Sequence, residues 1–572
     1  MKVIDFKDAS CRHCYKCVRN CEVKAISVQN QQARIIEEAC IHCGHCLEVC
    51  PQNAKTFSSD LERIRGYLKH GVRLAVSVAP SYAGDLPISS PGKVAGALRR
   101  LGFSAVRETA EGAAYVTDAY ARLLEEGKME NIITTCCPGV NDLIEKYYPS
   151  LVPQMAPVVS PMIAHGRLMK KIYGQEVKTV FLGPCIAKKQ EAEGDGRVAG
   201  AVDAILTFEE LMDWLALEGM DPEACEDLTF DNPDPLVNRL YPVGGGILDS
   251  VAAQVEQSRY HKVAVDGVEN CRQLFADMER GELTGCFLEV NLCEGGCVRG
   301  PVSGRERKNF AGPRIRVEER TTAHAPYPVE QLSIPLDKEF MDRSIILGEP
   351  PEAEIKKLLR AIGKYHREDE LNCGGCGYPT CREKAKAVYY GKAELDMCLP
   401  YAITKAESMA NVIIDETPDI VFLTDADLQI LECSKAALEL LEISKKEIRK
   451  RCLFEFIDDR HMQQVLEKKE NIINKRTYLE SLGMTVLETI VLIESPRSLL
   501  VMFQDVTMEE AQKERNLKLK LETVEMAQKV IDKQMMVAQE IAGLLGETTA
   551  ETKVTLSKLR DAILYENEEE AQ

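Results

Sequence analysis

Short apolar, β-branched segments alternate with stretches of helical periodicity between residues 70 and 300 of the chain. This alternation is typical of an α/β domain with a mostly parallel sheet. The predicted strands are RLAVSVAP, SAVRET, NIITT, KTVFLG and DAILTF, and the predicted helices between them cover residues 91–102, 111–126 and 139–148.

Four residues with distinctive chemistry follow these predicted strands directly: Pro80, Cys136, Cys137 and Cys185. Ligands of parallel α/β folds gather beyond the carboxyl ends of the strands. The pattern therefore predicts a buried site that these residues share.

After residue 510 the chain becomes strongly helical, and apolar residues repeat every seven positions. Such a repeat favours a coiled coil, which we expect to form a parallel dimer, although one long helix packed on its own domain gives the same pattern. No histidine follows His461, which excludes a phosphoaccepting helix, and no glycine-rich nucleotide loop is present. Any output must therefore pass to a separate protein. The repeat consists of Leu517, Val524, Ile531, Ala538 and Leu545, with Leu521, Met535 and Ala542 offset by four.

Composition places the chain among globular proteins of several domains. With 572 residues, 45% of them hydrophobic and 28% charged, we expect about four domains. The longest apolar runs are too short for a membrane span, and the first residues lack the apolar core of a signal peptide, so we expect a cytoplasmic protein. The net charge of −19 argues against nucleic acid or an anionic membrane as the main partner.

The chain has 22 cysteines, which is a high number. In a large chain without a secretory signal, cysteines favour metal binding or catalysis over disulfides. Two runs near the start share the spacing C-x2-C-x2-C-x3-C, which is that of bacterial two-cluster ferredoxins. In that arrangement the fourth cysteine of each run serves the other cluster. Two 4Fe-4S clusters are favoured over a pair of zinc sites. The predicted sets are Cys11, Cys14 and Cys17 with Cys50, and Cys40, Cys43 and Cys46 with Cys21.

A further pair, Cys293 and Cys297, lies in FLEVNLCEGGCVRGP. Four-residue spacing predicts that both thiols face one way on a helical turn. The neighbouring Gly295, Gly296 and Gly300 permit close approach of the backbone. The remaining cysteines have no motif and are interpreted as core residues: Cys225, Cys271, Cys286, Cys433 and Cys452.

The segments TTCCPGV, FLGPCIAKKQE and FLEVNLCEGGCVRG resemble, in order, the three signature loops of the iron-only (FeFe) hydrogenases. The resemblance implies an H-cluster, in which a 4Fe-4S unit is joined to a di-iron unit that carries CO, cyanide and a bridging amine dithiolate and is inserted by maturases. The substrates implied are hydrogen and protons. The implied cluster ligands are Cys137, Cys185, Cys293 and Cys297. Cys297 or its partner Cys293 would bridge to the di-iron unit, and the order of the motif favours Cys297.

The same resemblance implies roles for residues around the di-iron unit. Ala79, Pro80 and Ser81 would contact one cyanide, and Lys188 would place its ammonium on the other. Cys136, the residue before the first ligand, would be the thiol that passes protons to the amine bridge. The adjacent Cys136 and Cys137 would thus have different roles, proton transfer and cluster binding.

Several positions depart from the family pattern in a way that predicts slow turnover. The carboxylates and the serine that continue the proton path in active members are replaced, and two methionines at the di-iron unit are missing, while Glu191 matches the family. The relay positions hold Ala119 or Tyr120, Leu123 and Ala156, and the methionine positions hold Gly183 and Asn291.

Two segments after residue 350 resemble further modules. CGGCGYPTC with a later DMCLP resembles a small 4Fe-4S domain, although zinc suits the same thiols. Residues 411–508 resemble a PAS domain, with a strand pair around DAD and a late strand ending in FQDVT; His461 is its only histidine. The ligands implied in the small domain are Cys373, Cys376, Cys381 and Cys398.

The sequence therefore predicts a multidomain α/β protein that acts as a sensory FeFe hydrogenase. It would react slowly with hydrogen, exchange electrons with a ferredoxin or similar carrier through three accessory 4Fe-4S clusters, and signal as a homodimer. The alternatives are a metabolic ferredoxin-linked hydrogenase, a non-catalytic iron–sulfur assembly scaffold and a zinc-rich interaction protein. The predicted domains are 1–60 (two-cluster ferredoxin-like), 65–345 (H-cluster, α/β), 350–405 (4Fe-4S), 408–510 (PAS, α+β) and 511–572 (coiled-coil helix).

Overall fold

The computed structural model describes residues 3–7, 10–303, 311–321, 333–345, 348–494, 497–542 and 549–565. The chain divides into two compact units, Met1–Ala402 and Ile403–Gln572. None of the described helices is long and apolar enough to cross a membrane.

The first unit begins with a small module that contains both N-terminal cysteine runs, here named the dicluster module (residues 3–57). Strand β1 pairs with β4 and strand β2 with β3, both antiparallel. Each four-residue helix carries one cysteine, Cys17 or Cys46, and each begins after a residue of positive φ, Tyr15 or Gly44. Its elements are β1 Ile4–Phe6, α1 Lys16–Arg19, β2 Ile26–Gln29, β3 Gln32–Ile35, α2 His45–Glu48 and β4 Lys55–Phe57.

An α/β domain follows, built on two parallel sheets of order β6-β5-β8-β9 and β10-β11-β7. Its elements are α3 Leu61–Lys69, β5 Leu74–Val78, α4 Tyr82–Asp85, α5 Pro91–Arg100, β6 Ala105–Glu108, α6 Thr109–Glu126, β7 Ile132–Ile133, α7 Pro138–Tyr147, α8 Pro161–Tyr173, β8 Lys178–Leu182, α9 Ala187–Gly194, β9 Ala204–Leu206, α10 Phe208–Leu217, α11 Gly246–Ser250, α12 Ala252–Gln257, β10 His261–Asp266, α13 Val268–Glu279, β11 Cys286–Asn291 and α14 Gly312–Glu319.

The prediction of a parallel α/β domain is confirmed. The five predicted strands are β5 to β9, and the three predicted helices are α5, α6 and α7. Strands β10 and β11 were not predicted, because β10 is an edge strand with exposed residues and β11 buries Glu289 and Asn291 within its apolar run. The local signals are clear elsewhere: Ser90 caps α5 by accepting from the N–H of Lys93 at 3.1 Å, with a proline next to it.

The first unit ends with the small domain (residues 350–402), which carries the last cysteine group. Helix α15 packs against α16, and Ile355, Leu359 and Ala385 form its apolar core. Its elements are α15 Glu352–Ala361, α16 Cys381–Tyr389 and the first residues of α17 Leu399–Glu416.

The second unit contains an antiparallel five-stranded sheet of order β13-β12-β16-β15-β14, as the PAS resemblance predicts. The predicted helical tail is observed as α21, a helix of 36 residues, while Leu545 of the heptad pattern lies outside the described residues. The elements are β12 Ile420–Asp425, β13 Ile430–Cys433, α18 Lys435–Leu441, α19 Lys445–Ile448, α20 Arg460–Lys468, β14 Ile472–Leu479, β15 Met484–Glu494, β16 Arg497–Asp505, α21 Thr507–Ala542 and α22 Thr549–Tyr565.

Candidate functional site

Several cysteines of the α/β domain lie at the carboxyl ends of parallel strands. Cys136 and Cys137 follow β7, Cys185 follows β8 and Cys293 follows β11, while Pro80 follows the neighbouring β5. The chain reverses at each of these points into a loop or a helix. Parallel strand direction therefore brings loops that are distant in sequence to one edge of the domain.

Two of the cysteines stand at the start of helices. Cys137 is the cap residue of α7, whose first position is Pro138. Cys185 precedes α9, and the backbone N–H groups of Lys188 and Ala187 donate to its thiol, which lowers its pKa against the dominant effect of burial. Helix N-termini favour negative charge, so both positions suit thiolates.

The prediction that Cys293 and Cys297 share a helical turn is wrong. Cys293 lies in a bend after β11, and Cys297 begins a short 3-10 helix, Cys297–Arg299. Between them Gly295 and Gly296 adopt φ of 80° and 90°, which side chains rarely tolerate. A Cβ on Gly296 would also lie 2.9 Å from the backbone N of Gly244, so the loop is shaped by two glycines rather than by helical periodicity.

The four thiols of this edge are electrostatic neighbours. Burial raises the pKa of Cys297, negative charge on Cys185 and Cys137 raises it further, and the Lys188 ammonium lowers it. Burial likewise raises the pKa of Cys293 well above its usual value, and Cys297, Cys185 and Cys137 add to the effect. Four gathered thiolates need compensating positive charge, which an iron–sulfur unit supplies. The donor set therefore fits the cluster that the sequence implies.

Lys188 is the cation that faces these thiols. Its Nζ donates to the carbonyl of Cys136 at 3.3 Å, and among the described residues no carboxylate lies within ion-pair distance of it. Burial lowers the pKa of Lys188, but negative charge on Glu191, Cys185 and Cys297 outweighs burial, so the pKa is raised. A permanently charged ammonium without a carboxylate partner is suited to an anionic ligand of the site.

Ala79, Pro80 and Ser81 form a buried loop after β5. The Ser81 hydroxyl is buried and has no hydrogen-bond partner among the described residues. Buried hydroxyls are normally paired, because burial without a partner is costly. The unpaired Ser81 Oγ therefore indicates that this loop meets a polar bound group, which agrees with the implied cyanide contact.

Within the part of the chain that the structure describes, the Cys136 thiol has one side-chain hydrogen bond, with the hydroxyl of Tyr120 at 3.2 Å from its Sγ. The sequence left Ala119 and Tyr120 open as the next position of the implied proton path, and of the two it is Tyr120 whose side chain bonds Cys136. Burial raises the pKa of Cys136 to about 12, although Tyr120 and Lys188 both act to lower it. The thiol is therefore protonated and can donate.

The later relay positions contain no titratable group. Leu123 and Ala156 pack in the apolar core of the domain. Glu191 is buried and engaged elsewhere: it accepts from Ser160 Oγ at 2.7 Å and pairs with Lys338 Nζ at 3.4 Å. It lines a charged cavity of about 320 Å³ beside α7 and α9.

The two positions where the family has methionine are filled differently. A Cβ on Gly183 would lie 2.7 Å from the ring of Phe181, so that ring occupies the space. The Asn291 side chain donates to Glu289 at 3.4 Å. Burial raises the pKa of Glu289 to about 7, although it accepts backbone N–H bonds from Gly245, Ile247 and Leu248. No sequence motif marked Glu289, which positions the loop beside Cys297.

The cysteines of the dicluster module meet in two sets across the two runs. Cys11, Cys14 and Cys17 line one small cavity together with Cys50. Burial raises the pKa of Cys43 well above its usual value, and the next causes include charge on Cys21, Cys46 and Cys40. These are the crossed sets that the spacing predicts, observed as neighbours. Backbone N–H groups of Ala25, His42 and Ala54 donate to the thiols of Cys21, Cys40 and Cys50 at 3.3, 3.4 and 3.4 Å.

The second of these loops packs directly on the α/β site. Gly44, with φ of 75°, leaves no room for a side chain: a Cβ there would lie 2.6 Å from Pro301 Cγ and 3.3 Å from Ile186 Cδ1. Ile186 follows Cys185, and Pro301 lies shortly after Cys297. His42 in the same loop bonds Asp142 of α7 at 3.1 Å. No sequence signal identified these contacts, which bring the set with Cys40 beside the set with Cys185.

The small domain gathers its own four cysteines around one cavity, lined by Cys373, Cys376, Cys381 and Cys398. Lys384 is buried beside them; burial lowers its pKa to about 8, although charge on Cys376 and Cys398 raises it. Within the described ranges, no three His, Cys, Asp or Glu side chains are close enough to hold a single metal ion.

Comparison with known families agrees with this arrangement. Residues 72–301 match the family described as iron only hydrogenase large subunit, C-terminal domain. Residues 10–54 match a 4Fe-4S dicluster domain, residues 369–400 a putative Fe-S cluster domain, and residues 408–487 the PAS fold.

Several curated proteins are similar to the chain. It is 25% identical over 331 residues to the NADP-reducing hydrogenase subunit HndD of Solidesulfovibrio fructosivorans, covering 47% of this chain and 56% of that protein. It is 29% identical to the periplasmic Fe hydrogenase large subunit of Nitratidesulfovibrio vulgaris, covering 40% and 66%. It is 26% identical to iron hydrogenase 1 of Clostridium pasteurianum, covering 51% and 63%. The chain thus spans between 56% and 66% of the length of these relatives.

Among solved structures, an FeFe hydrogenase from Chlamydomonas reinhardtii aligns with 50% of this chain and 100% of its own, at 18% identity and a TM-score of 0.42. The assignment of the domains rests on the family matches and not on this structural alignment.

Fold and site together define an iron–sulfur protein with several cysteine-rich modules. The chain carries the C-terminal domain of the iron-only hydrogenases, a 4Fe-4S dicluster domain and a PAS domain, so the resemblance read from the sequence is confirmed.

Proposed function

We propose that this chain is a hydrogen-sensing FeFe hydrogenase of low turnover. The observation that carries the proposal is the contact between the Cys136 thiol and the Tyr120 hydroxyl, beside the Lys188 ammonium. A thiol, a cation and the orphaned Ser81 hydroxyl are what an H-cluster uses, and a bare 4Fe-4S unit needs none of them. The site residues keep the roles that the sequence analysis gave them.

When bound, the H-cluster supplies the iron site at which hydrogen and protons interconvert. Cys137, Cys185, Cys293 and Cys297 hold it, and Lys188 and Ser81 orient its anionic ligands. Cys136 exchanges a proton between the site and Tyr120. Beyond Tyr120, Leu123 and Ala156 offer no acid or base, so each proton must wait for water or motion, and turnover is slow.

Electrons pass between this site and the dicluster module, since the loop with Cys40, Cys43 and Cys46 packs on the loops with Cys185 and Cys297 through Gly44. The partners are a ferredoxin or similar carrier and the maturases that insert the di-iron unit. The predicted cytoplasmic location belongs to the same proposal, although one relative is named as periplasmic.

The sensory role rests on how the chain continues after the clusters. Helix α17 begins at Leu399, directly after Cys398, and ends at Glu416, three residues before strand β12 of the PAS domain. Helix α21 continues from the PAS sheet and presents exposed apolar residues, including Leu517 and Leu521. We propose that these helices carry the redox signal to a coiled-coil homodimer and from there to a separate output protein.

The decisive experiment is an infrared spectrum of the anaerobic protein after treatment with maturases or a synthetic di-iron cofactor. CO and cyanide bands that shift under hydrogen support the proposal, and a low turnover number then separates a sensor from a metabolic hydrogenase. Absence of the bands, with iron still bound, overturns it in favour of an assembly scaffold. The chain is also 26% identical over 191 residues to a protein named cytosolic Fe-S cluster assembly factor NAR1 homolog, from Schizosaccharomyces japonicus, covering 29% of this chain and 37% of that protein.

A further inference from the structure

The small domain is fixed to the dicluster module by hydrogen bonds to its backbone carbonyls. The N–H of Val28 donates to the carbonyl of Lys392 at 2.9 Å. The Arg19 guanidinium donates to the carbonyl of Gly375 at 3.2 Å, and the Gln29 side-chain amide to that of Gly391 at 3.2 Å. These bonds join strand β2 and helix α1 to the loops of the small domain. The two modules therefore hold their cysteine sets at a fixed distance.

The cysteine loops of the two modules touch directly at Gly377. This residue follows Cys376 and has φ of 93°. A Cβ on it would lie 2.9 Å from Val18 Cγ1 and 3.1 Å from the backbone N of Arg19. Because Val18 and Arg19 lie between Cys17 and Cys21, the Cys376 loop packs directly on the helix that joins the two cluster sets.

Tyr378 fills the space next to this contact. Its side chain is 5% exposed and belongs to the apolar cluster that includes Cys17 and Met397, with Cys21 and Cys376 packed against it. The backbone N–H of Tyr378 donates to the Cys376 thiol. Tyr378 thus shares one apolar cluster with Cys376 of the small domain and Cys21 of the dicluster module.

The hydroxyl of Tyr378 is buried and has no hydrogen-bond partner among the described residues. Burying a hydroxyl without a partner is costly, so an orphaned one indicates a group that it meets when the site is filled. A phenol is a hydrogen-bond donor at neutral pH. Tyr378 lines the same cavity as the four cysteines of the small domain, so its hydroxyl lies where their cluster would be held.

We propose that Tyr378 couples the two modules: its O–H donates to a sulfur of the 4Fe-4S cluster held by Cys373, Cys376, Cys381 and Cys398, and its ring bridges that cluster to the one that Cys21 completes. One electron then moves from the reduced dicluster cluster to the oxidised small-domain cluster, and no bond, including the phenol O–H, is broken. The small domain is thus the exit of the electron path toward α17. This inference rests on the proposed function only in taking both cysteine sets as 4Fe-4S sites.

The first test is a redox titration of the full-length protein followed by electron paramagnetic resonance, with a chemical reductant in place of hydrogen. A hydrogen bond to an anionic cluster favours its reduced form. We expect Tyr378→Phe to make the small-domain cluster about tenfold harder to reduce at a given potential, which is about 59 mV for a one-electron couple. The matched control is Tyr389→Phe, at the end of α16 in the same domain, where the side chain is 45% exposed; it should change nothing.

The signal that shifts in Tyr378→Phe must be the one that a Cys381→Ala variant lacks. An unchanged potential at full iron content overturns the inference, and so does a shift of a signal that Cys381→Ala retains. The native chain gives a second test that needs no stable variant at Tyr378. Fully reduced, its dicluster signal should be split by spin coupling to the small-domain cluster; a signal identical to that of Cys381→Ala overturns the inference.

The contact at Gly377 gives a rate test. Gly377→Ala should push the loops apart and slow reduction of the small-domain cluster after flash reduction of the protein. Gly363→Ala, in the small domain at φ of 77° with no atom within 4 Å of its added Cβ, has a similar backbone strain without the contact and should not. Equal rates of small-domain cluster reduction in the two variants overturn the proposal that electrons pass between the modules at this contact. Because none of these measurements uses hydrogen, a missing H-cluster would overturn the proposed function and leave this inference standing.

Discussion

The hydroxyl of Tyr120 lies 3.2 Å from the Sγ of Cys136, and the backbone N–H of Thr135 donates to the same hydroxyl at 2.9 Å. The N–H occupies one lone pair of the phenol oxygen, which keeps its proton and a second lone pair, so the hydroxyl can donate to the thiol or accept from it. Tyr120 is fully buried, with its ring packed edge-on against Phe287 at 5.8 Å between centroids. A neutral phenol thus contacts the thiol at one of the two positions, Ala119 or Tyr120, where the resemblance implies a carboxylate.

Replacing Tyr120 by phenylalanine should lower both hydrogen evolution and hydrogen oxidation by at least about tenfold, because a positioned proton donor contributes that much or more. The ring packing is kept, so the infrared bands of the H-cluster should be unchanged. Tyr148→Phe, which removes a hydroxyl bonded at 3.4 Å to the carbonyl of Arg272, is the control. Equal turnover in the two variants would remove Tyr120 from the proton path.

Restoring the family's groups farther along the path should have the opposite effect. The double variant Leu123→Glu with Ala156→Ser supplies an acid and a hydroxyl where the core is now apolar, so turnover should rise severalfold over the native chain. Steady-state hydrogen evolution with a strong reductant measures it. Unchanged turnover with intact infrared bands would mean that proton delivery does not limit the native protein, and would favour the metabolic alternative.

Glu111 stabilises the α/β domain through a buried network. It pairs with Arg107 at 2.6 Å and bonds His165 at 3.1 Å, and His165 in turn bonds Ser77 at 2.7 Å. Burial raises its pKa, but the bonds from His165 and Arg107 outweigh burial and hold it at about 2. Relative to an ordinary glutamate this lowering corresponds to about 3 kcal/mol. The contribution is full above the unfolded pKa and disappears as pH falls from about 4.5 toward 2.

Glu111→Gln should therefore destabilise the domain by about 3 kcal/mol at neutral pH. Unfolding can be followed by the fluorescence of Trp214, the single tryptophan of the chain, which is buried in the core of this domain. The difference from the native chain should be equal at about pH 8 and pH 5.5, since both lie above the titration range. The exposed Glu125→Gln on the same helix is the control, and a similar effect of both variants would contradict the role of the network.

The contact at Gly44 should control electron exchange between the hydrogen site and the dicluster module. Gly44→Ala places a methyl group against Pro301 and Ile186, so the loops must separate. Reduction of the dicluster clusters under hydrogen, followed by stopped-flow absorbance, should slow severalfold. Gly71→Ala has nearly the same φ, 71°, and no atom within 4 Å of the added Cβ. Equally fast reduction in both variants would show that this contact does not set the rate.

The heptad pattern of α21 predicts a dimer that charged substitutions on the seam should dissociate. Leu517 and Leu521 lie on the predicted seam and are 51% and 52% exposed, while Leu519 lies off it and is 66% exposed. Leu517→Lys with Leu521→Lys should give a monomer by light scattering, and Leu519→Lys should leave the dimer. A native chain that is already monomeric would rule out the coiled coil.

Local sequence was sufficient for most of the fold. The five segments that became β5 to β9 are short, apolar and β-branched, and Ser90 with Pro91 marks the start of α5. Prediction missed β10 and β11 because their signals are mixed: β10 is an exposed edge, and β11 buries Glu289, whose carboxylate accepts three backbone N–H bonds from a distant loop. A buried carboxylate of this kind is recognisable only when its partners are in place.

The cysteine sets were accessible from spacing, while the residues that connect them were not. Gly44 and Gly377 appear in the sequence as ordinary loop glycines, and only the packing shows which atoms press against them. The helical turn predicted for Cys293 and Cys297 failed for the same reason, since two glycines of positive φ reshape the loop. Spacing predicts which thiols share a site, and packing decides how the sites meet.

The fourth cysteine of each run in the dicluster module lies with the other run. Cys50 lines the cavity of the first run, and Cys21 lies beside the cysteines of the second. Each cluster would therefore hold in place a thiol-bearing segment that the other half needs. Oxidative loss of one cluster would loosen a ligand of its neighbour, and repair would have to rebuild both together. Exposure to air should then disconnect the hydrogen site in one step rather than by degrees.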